Sequence, residues 1–493
     1  MAKNYRDWTP TQSYLMPPSP MEWLPEGHLA YFVLDLVETI DLHEIEAAVQ
    51  AKDPRGERPY PPRLMVALLL YGYAIGVVSS REIARATYGD VAFRVIAGGV
   101  HPYFTTINQF RLDHLAAFRK LFQEVLRLCL RGGLVSFGHV AIDGTKIKAN
   151  ASKRKAMSYE RMQQIELRLE QEINDILARA AAVDAAEDTK YGVGEMSEDL
   201  PAELRRREDR LARIQQLRAE LEQEAAKARA DELRARAEVL RAKAADPSEP
   251  PREQAAAATR AANNDAAADK LDDSDDPPPA VDGDLPHHRV PTTPEGKPTP
   301  TAQRNFTDPD SRIMVHDGGF VQAYNGQITV DEAHQIIVAE ALTNQPPDAE
   351  HFVPMLHRTV TNCDAVPEAV TADAGYFSEA NLRAAEHYGS EPYIPVDRQR
   401  RSSDGQPQQL PPTPAREHMR AKLATTVGKA IYAKRKWTVE PVFGQIKGAR
   451  GFRRFSLRGR VKAAAEWTFV CLTHNLLKLY RALGRPALAT ATA

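Results

Sequence analysis

Cysteine is scarce: the 493 residues hold three, Cys129, Cys363 and Cys471, far apart and with no C-x-x-C pair. That excludes a disulfide-stapled scaffold and a cysteine-built zinc site, and it suits a reducing compartment, the cytoplasm. Long apolar runs are missing as well. The longest, Leu64–Leu70, is far short of the ~20 residues that cross a bilayer, and the opening MAKNYRDWTP has no apolar signal core. No membrane partner is expected.

Acid is what one stretch lacks. The overall formal charge is only -2, but Lys and Arg abound between Arg416 and Lys462 against just two acids, Glu417 and Glu440. Such a local excess predicts a polyanion as partner. Within AIYAKRKWTVEPVFGQIKGARGFRRFSLRG, residues 430–459, Thr438 reads as an N-cap and Pro441 as a first-turn proline, so a helix is expected from Glu440. Its repeat brings Phe443, Gly444 and Lys447 onto the face of Glu440. A solvated amphipathic helix is the plain alternative.

Ahead of this stretch, residues 26–133 are helical in pattern throughout, with Ser79 and Thr105 as expected N-caps. Short helices with basic starts, carrying Arg81 and Arg85, then Asn108 and Arg111, could present side chains to a DNA groove as a helix-turn-helix does; a ligand-free packing domain is the alternative. At Phe137 the period becomes that of a strand. In GHVAIDGTKIKANAS, Val140 and Ile142 alternate, and Asp143 is expected at a strand end where Gly144 turns the backbone. The same situation recurs at TADAGYFS: the strand 368–372 runs into Asp373, with Gly375 two residues on.

Between the two aspartates the composition changes. Residues 157–245 are rich in Ala, Glu, Arg and Leu, with apolar steps of three and four, and predict a hairpin of two long helices with a narrow apolar stripe. From 246 to 300, Pro, Ala, Asp and Thr dominate, including DDSDDPPP, and disorder is expected. RQRRSSDGQPQQLPPTP reads as a polar loop, and AAAEWTFVCLTHNLLKLYRAL as a closing core helix.

The order is strand with Asp143, insertion, two strands, helix, strand with Asp373, helix, strand, helix with Glu440. It matches a ribonuclease H-like α/β core. Through VAIDGTKIKANAS, FTDPDSRIM, AYNGQITVD, VTADAGYFS and VEPVFGQIKGARGFRRFSLRG the chain resembles the DDE-type transposases of bacterial insertion sequences. PPRLMVALLLYGY, SSREIAR and TTINQFR resemble the helical domain that accompanies such cores. The resemblance implies five stretches: an all-α domain over 1–135, the first part of the core over 136–150, an insertion over 151–301, the rest of the core over 302–480, and a tail over 481–493. It also implies that Asp143, Asp373 and Glu440 hold two Mg2+ ions, with Mn2+ able to substitute, and that Lys447 takes part in DNA handling. Many relatives place an Arg four residues before the catalytic Glu. Here that position is Lys436, while Arg435 and Tyr432 are displaced by one.

Three carboxylates suit a pair of hard cations, which can stabilise the attacking and leaving oxygens of a phosphodiester exchange. The expected partners are double-stranded DNA, both element ends and target, and a second copy of the chain on that DNA. Lys436, Lys447, Arg450, Arg453, Arg454 and Arg458, with Arg81 and Arg111 from the helical segment, are the expected phosphate contacts, and Phe452 and Phe455 could stack on a splayed base. A catalytically dead DNA-binding protein or repressor of the same fold, a plain nuclease and a coiled-coil scaffold are the competing readings.

Overall fold

The computed structural model describes residues 19, 22–51, 58–191, 202–272, 285–316, 318–396 and 412–492. The expected loop over 398–414 lies outside them up to residue 411, as does most of the DDSDDPPP run. Seven helices come first: α1 (Leu29–Thr39), α2 (His43–Gln50), α3 (Pro62–Ile75), α4 (Ser80–Gly89), α5 (Val91–Ala97), α6 (Phe104–Asp113) and α7 (Leu115–Arg131). Pro62 opens α3 at a position whose N–H has no intrahelical partner anyway. Ser79 precedes α4 as expected, whereas α6 begins at Phe104 behind Tyr103, so Thr105 lies inside the first turn and caps nothing. No single helix is long and apolar enough to cross a membrane among the described residues.

The strands are β1 (His139–Lys148), β2 (Ala156–Ser158), β3 (Gln303–Asn305), β4 (Arg312–His316), β5 (Gly319–Asp331), β6 (Ile337–Thr343), β7 (Ala369–Thr371) and β8 (Glu391–Tyr393). The main sheet runs β6-β5-β1-β7-β8, with β4 on the first part of β5. β6 and β5 are antiparallel, as are β5 and β1, while β1, β7 and β8 are parallel. Alternation along β1 sends Val140 and Ile142 to one face and Ala141 and Ile147 to the other.

The two faces are covered differently. Val140 and Ile142 pack with α11 (Phe352–Cys363), α12 (Glu379–Tyr388) and α13 (Pro414–Ala424), through Phe352, Leu382 and Met419. Ala141 and Ile147 share a core with the N-terminal helices and the long α17 (Arg460–Thr492), which breaks at Gly484. The N-terminal helices are thus part of the core that backs the sheet, through residues such as Phe32, Leu69 and Phe118, the last packed on Phe469 of α17. Trp467 of α17 is fully buried, its Nε1 donates to the Gln327 carbonyl at 3.3 Å, and its ring fills the space beside Gly326, where a Cβ would stand 2.9 Å from Cε2. Trp467→Ala is expected to cost about 3–5 kcal/mol in urea unfolding. A loss below about 1 kcal/mol would contradict that packing.

The insertion forms α8 (Tyr159–Tyr191), α9 (Ala202–Ala245) and α10 (Pro251–Asp269). α8 and α9 pair antiparallel, as expected: Glu172 meets Arg207, Glu166 meets Arg218 and Tyr159 meets Glu222. The expectation of disorder from 246 onward is corrected. Residues 251–269 are helical, and Arg234–Asp269 and Lys243–Glu253 pairs lay α10 back along α9. The segment is poor in large apolar residues but rich in Ala, the best helix former, and Ala257, Ala261 and Ala268 are small enough to pack buried. Leu285 and Val290 are buried too, Leu285 in the sheet's core. β2 pairs with β3 where the excursion leaves and rejoins the core, so its two ends are neighbours, tied also by Asn305 donating to the Ser152 carbonyl at 2.8 Å.

Candidate active site

Strand register builds the centre of the site. Ala141 of β1 pairs with Thr371 at the end of the parallel β7, and the two aspartates, each two residues further on, come near enough for the Asp373 charge to act on Asp143. The sequence expectation placed Asp143 at the end of a strand turned by Gly144. The structure corrects this: β1 continues to Lys148, and it is β7 that ends, leaving Asp143 open on that side. Gly144 has a steric reason instead. A Cβ there would run into the Gln327 amide and come within 3.0 Å of Asn325 Oδ1 and Asp348 Oδ1. Gly144→Ala is therefore expected to destabilise by about 1–3 kcal/mol, read as a lowered urea midpoint; an unchanged midpoint would show that this space is not tight.

Those three side chains form a support behind the aspartates. Asp348 Oδ1 accepts from Lys146 Nζ at 3.1 Å, Asn325 Nδ2 at 2.7 Å and Gln327 Nε2 at 2.9 Å, and the buried Tyr376 hydroxyl donates to Gln327 Oε1. Asp373 caps the turn Ala374–Tyr376 by accepting from Gly375 N at 2.7 Å, so its carboxylate is held where β7 stops. None of Asp348, Lys146, Asn325, Gln327 or Tyr376 was singled out from the sequence as a site residue. The signal that was there is the AYNGQITVD motif, whose odd positions carry Asn325 and Gln327 on one face of β5.

The helical run that crosses the sheet is broken: α14 (Thr426–Ala433), α15 (Arg435–Thr438), α16 (Glu440–Gly444), then a π-turn over Gln445–Ala449. Thr438 is not the expected cap; it ends α15, and its hydroxyl donates to the Lys434 carbonyl at 2.9 Å. Arg435 donates to Asp143 Oδ2 at 2.6 Å, with side chains only 12% and 16% exposed. Tyr432 hydrogen-bonds Arg435 in turn. Lys436, at the position where relatives carry Arg, is exposed. The one-residue displacement falls at the joint between α15 and α16, and Arg435 still reaches the acid. Burial pushes the Asp143 carboxyl up to about 6, with Asp373 and Asp348 acting in the same direction and Arg435 opposing them.

Glu440 opens α16 as the sequence indicated, but it is exposed, and no hydrogen bond or ion pair joins it to either aspartate among the described residues. No group of three His, Cys, Asp or Glu side chains there stands close enough to hold a metal ion. Lys447 Nζ donates to the Lys146 carbonyl at 3.1 Å, laying this helix along β1 beyond Asp143.

The expected phosphate contacts divide in two. Arg453, Arg454 and Arg458 are exposed, as is Arg81, whose guanidinium lies 4.9 Å over the Phe104 ring. Arg111 and Arg450 are corrected. Arg111 is buried, donating to the Tyr73 hydroxyl at 2.7 Å and Ser456 Oγ at 3.1 Å beside the buried Glu466; Arg450 donates to the Val470 carbonyl at 3.2 Å and Thr473 Oγ1 at 2.8 Å. Both tie segments of the core together and are not open to phosphate. Phe452 and Phe455 are corrected likewise: they pack edge-on at 5.5 Å inside the core.

A family model described as "Transposase DDE domain" matches residues 289–476, and one described as "Transposase domain (DUF772)" matches residues 18–113. The chain belongs to the DDE-type transposases. The two matches together span both the helical segment and the part of the transposase that carries Asp373 and Glu440; Asp143 lies outside them and is brought to Asp373 by the sheet. DNA is the partner that the family implies, divalent metals are its usual cofactors, and nuclease or transposition chemistry is its activity. No curated protein and no solved structure matches the chain.

Proposed function

We propose that this transposase cuts DNA at the ends of its element and joins the freed ends to target DNA, using two Mg2+ ions held by Asp143, Asp373 and Glu440. The observation that carries this reading is the approach of two carboxylates, Asp143 on β1 and Asp373 just past the end of the parallel β7, where Asp143 is largely buried and charge-balanced by Arg435. Two acids forced together in a partly buried place need positive charge, and an oxygen-only donor set suits a hard divalent ion. The antiparallel–antiparallel–parallel–parallel order β6-β5-β1-β7-β8, with the acid on the central strand, supports a ribonuclease H-like core. Glu440 lies on the helical run that Arg435 and Lys447 tie to β1, and in this reading it completes the set when DNA and metal are bound.

Bound there, divalent ions would supply Lewis-acid stabilisation of the attacking and leaving oxygens. The chain's own part is to hold the acids and to position DNA. Asp373 is fixed by its cap and Asp143 by Gly144 and Arg435, while Arg453, Arg454 and Arg458 offer charge to phosphates. The outward position of Glu440 is the one feature that favours a repressor that binds ends without cutting. An assay on duplex DNA carrying the sequences that flank the gene separates the two. The expected result is nicking at the element end in Mg2+ and none in EDTA; protection of the ends without any nick would support the repressor.

A further inference from the structure

We propose that the base of the insertion, Lys153-Arg154-Lys155, is a second phosphate-binding patch, continuous with Lys148, Arg453, Arg454 and Arg458, and that it grips duplex DNA leaving the carboxylate pair. The inference rests on the transposase reading and extends it from Arg453, Arg454 and Arg458 to the base of the insertion.

All seven of these cations are exposed. Backbone pairing brings their two distant segments together: Lys148 N donates to the Arg453 carbonyl at 3.2 Å, Phe455 N to the Lys148 carbonyl at 2.9 Å, and Arg458 Nε to the Asn150 carbonyl at 3.1 Å. Asn150 Nδ2 closes the contact on the Ser456 carbonyl at 2.8 Å. The short turn Lys153–Lys155 then sits at the neck, its Lys155 carbonyl accepting from Phe306 N at 3.0 Å, so the three cations are displayed from backbone held at both ends. Two acids held near Gly459 and Arg460 are already occupied, while Glu160 at the start of α8 is exposed. Asp308 accepts from the Tyr324 hydroxyl at 2.7 Å and Gly459 N at 3.2 Å, and Asp310 accepts from Arg460 N at 2.8 Å. A surface on which cations outnumber acids in this way attracts a polyanion.

Direction favours duplex DNA over a free anion. Lys148 lies five residues along β1 from Asp143, about 17 Å at ~3.4 Å per residue, which is the rise of about five base pairs at ~3.4 Å each. An odd step of five along the unbroken β1 turns Lys148 to the face opposite Asp143, so only a ligand that extends over several base pairs can meet both.

The test is fluorescence anisotropy of a labelled 40-base-pair duplex bound by the full chain between 50 and 250 mM KCl, on the order of the range where phosphate contacts dominate. Lys153→Gln/Arg154→Gln/Lys155→Gln is expected to lower the magnitude of the slope of log K against log salt by about 2 to 3, since each neutralised phosphate contributes about 0.9. Lys153→Arg/Arg154→Lys/Lys155→Arg should keep the parent slope, and a far-UV spectrum equal to the parent's shows the fold intact. A parent that binds the duplex with a slope the triple Gln variant leaves unchanged overturns the neck's role alone, and leaves the transposase reading standing. A change confined to single-stranded DNA overturns the assignment to duplex. A parent that does not bind the duplex at all overturns both.

Discussion

Asp143→Asn is expected to lower end cleavage in Mg2+ by about a thousandfold or more, ~4 kcal/mol of lost transition-state stabilisation, while duplex affinity stays within about threefold. The substitution keeps the shape and an oxygen for Gly144 N, which now donates to Asp143 Oδ1 at 2.8 Å, but removes the charge that faces both Arg435 and Asp373's side of the site. Affinity comes from cations far along the surface, Arg453, Arg454 and Arg458 among them, so binding and cutting should separate. Quantifying nicks on an end-bearing duplex, beside anisotropy on the same DNA, reads both. A variant that cuts at the parent's rate would remove Asp143 from the chemistry.

The second large effect concerns register. Arg435→Ala should reduce cleavage by about a hundredfold, the scale seen when one preorganised charged donor is taken from a reacting centre, whereas Lys436→Ala should stay within about threefold because its side chain is exposed. Removing Arg435 leaves two neighbouring carboxylates, one of them largely buried, without the 2.6 Å ion pair that now balances them. Arg435→Lys keeps charge but loses the planar donor set, so an intermediate rate is expected. The reverse ranking, with Lys436→Ala as the damaging change, would mean that the spacing typical of relatives governs the active form and that the Arg435 contact does not.

How much of this was legible in the sequence depends on the kind of residue. The approach of Asp143 and Asp373 was legible because a strand followed by an acid and a glycine is a local pattern, though the reason for the glycine was misjudged: only the fold shows that Gly144 lies against Gln327, 183 positions away in sequence. Arg435 was doubtful because the spacing common among similar transposases put Lys436 in its place, and a break between α15 and α16 is a tertiary outcome that spacing cannot register. Arg111 and Arg450 misled for a different reason. A buried arginine satisfied by carbonyls and hydroxyls has the same letter as one facing phosphate, and the partners, Tyr73, Ser456 and Val470, are scattered along the chain. α10 was missed because composition was weighed for large apolar residues, and an alanine face against another helix needs few of them.

The central claim is that Asp143 and Asp373 form a divalent-metal site that Glu440 completes on DNA. The most direct measurement is Mn2+ binding to the full chain on an end-bearing duplex, followed by the loss of the free-ion electron paramagnetic resonance signal. Asp143→Asn, Asp373→Asn and Glu440→Gln should each weaken Mn2+ binding by about tenfold or more. Parent-like Mn2+ binding in the two aspartate variants would contradict the account.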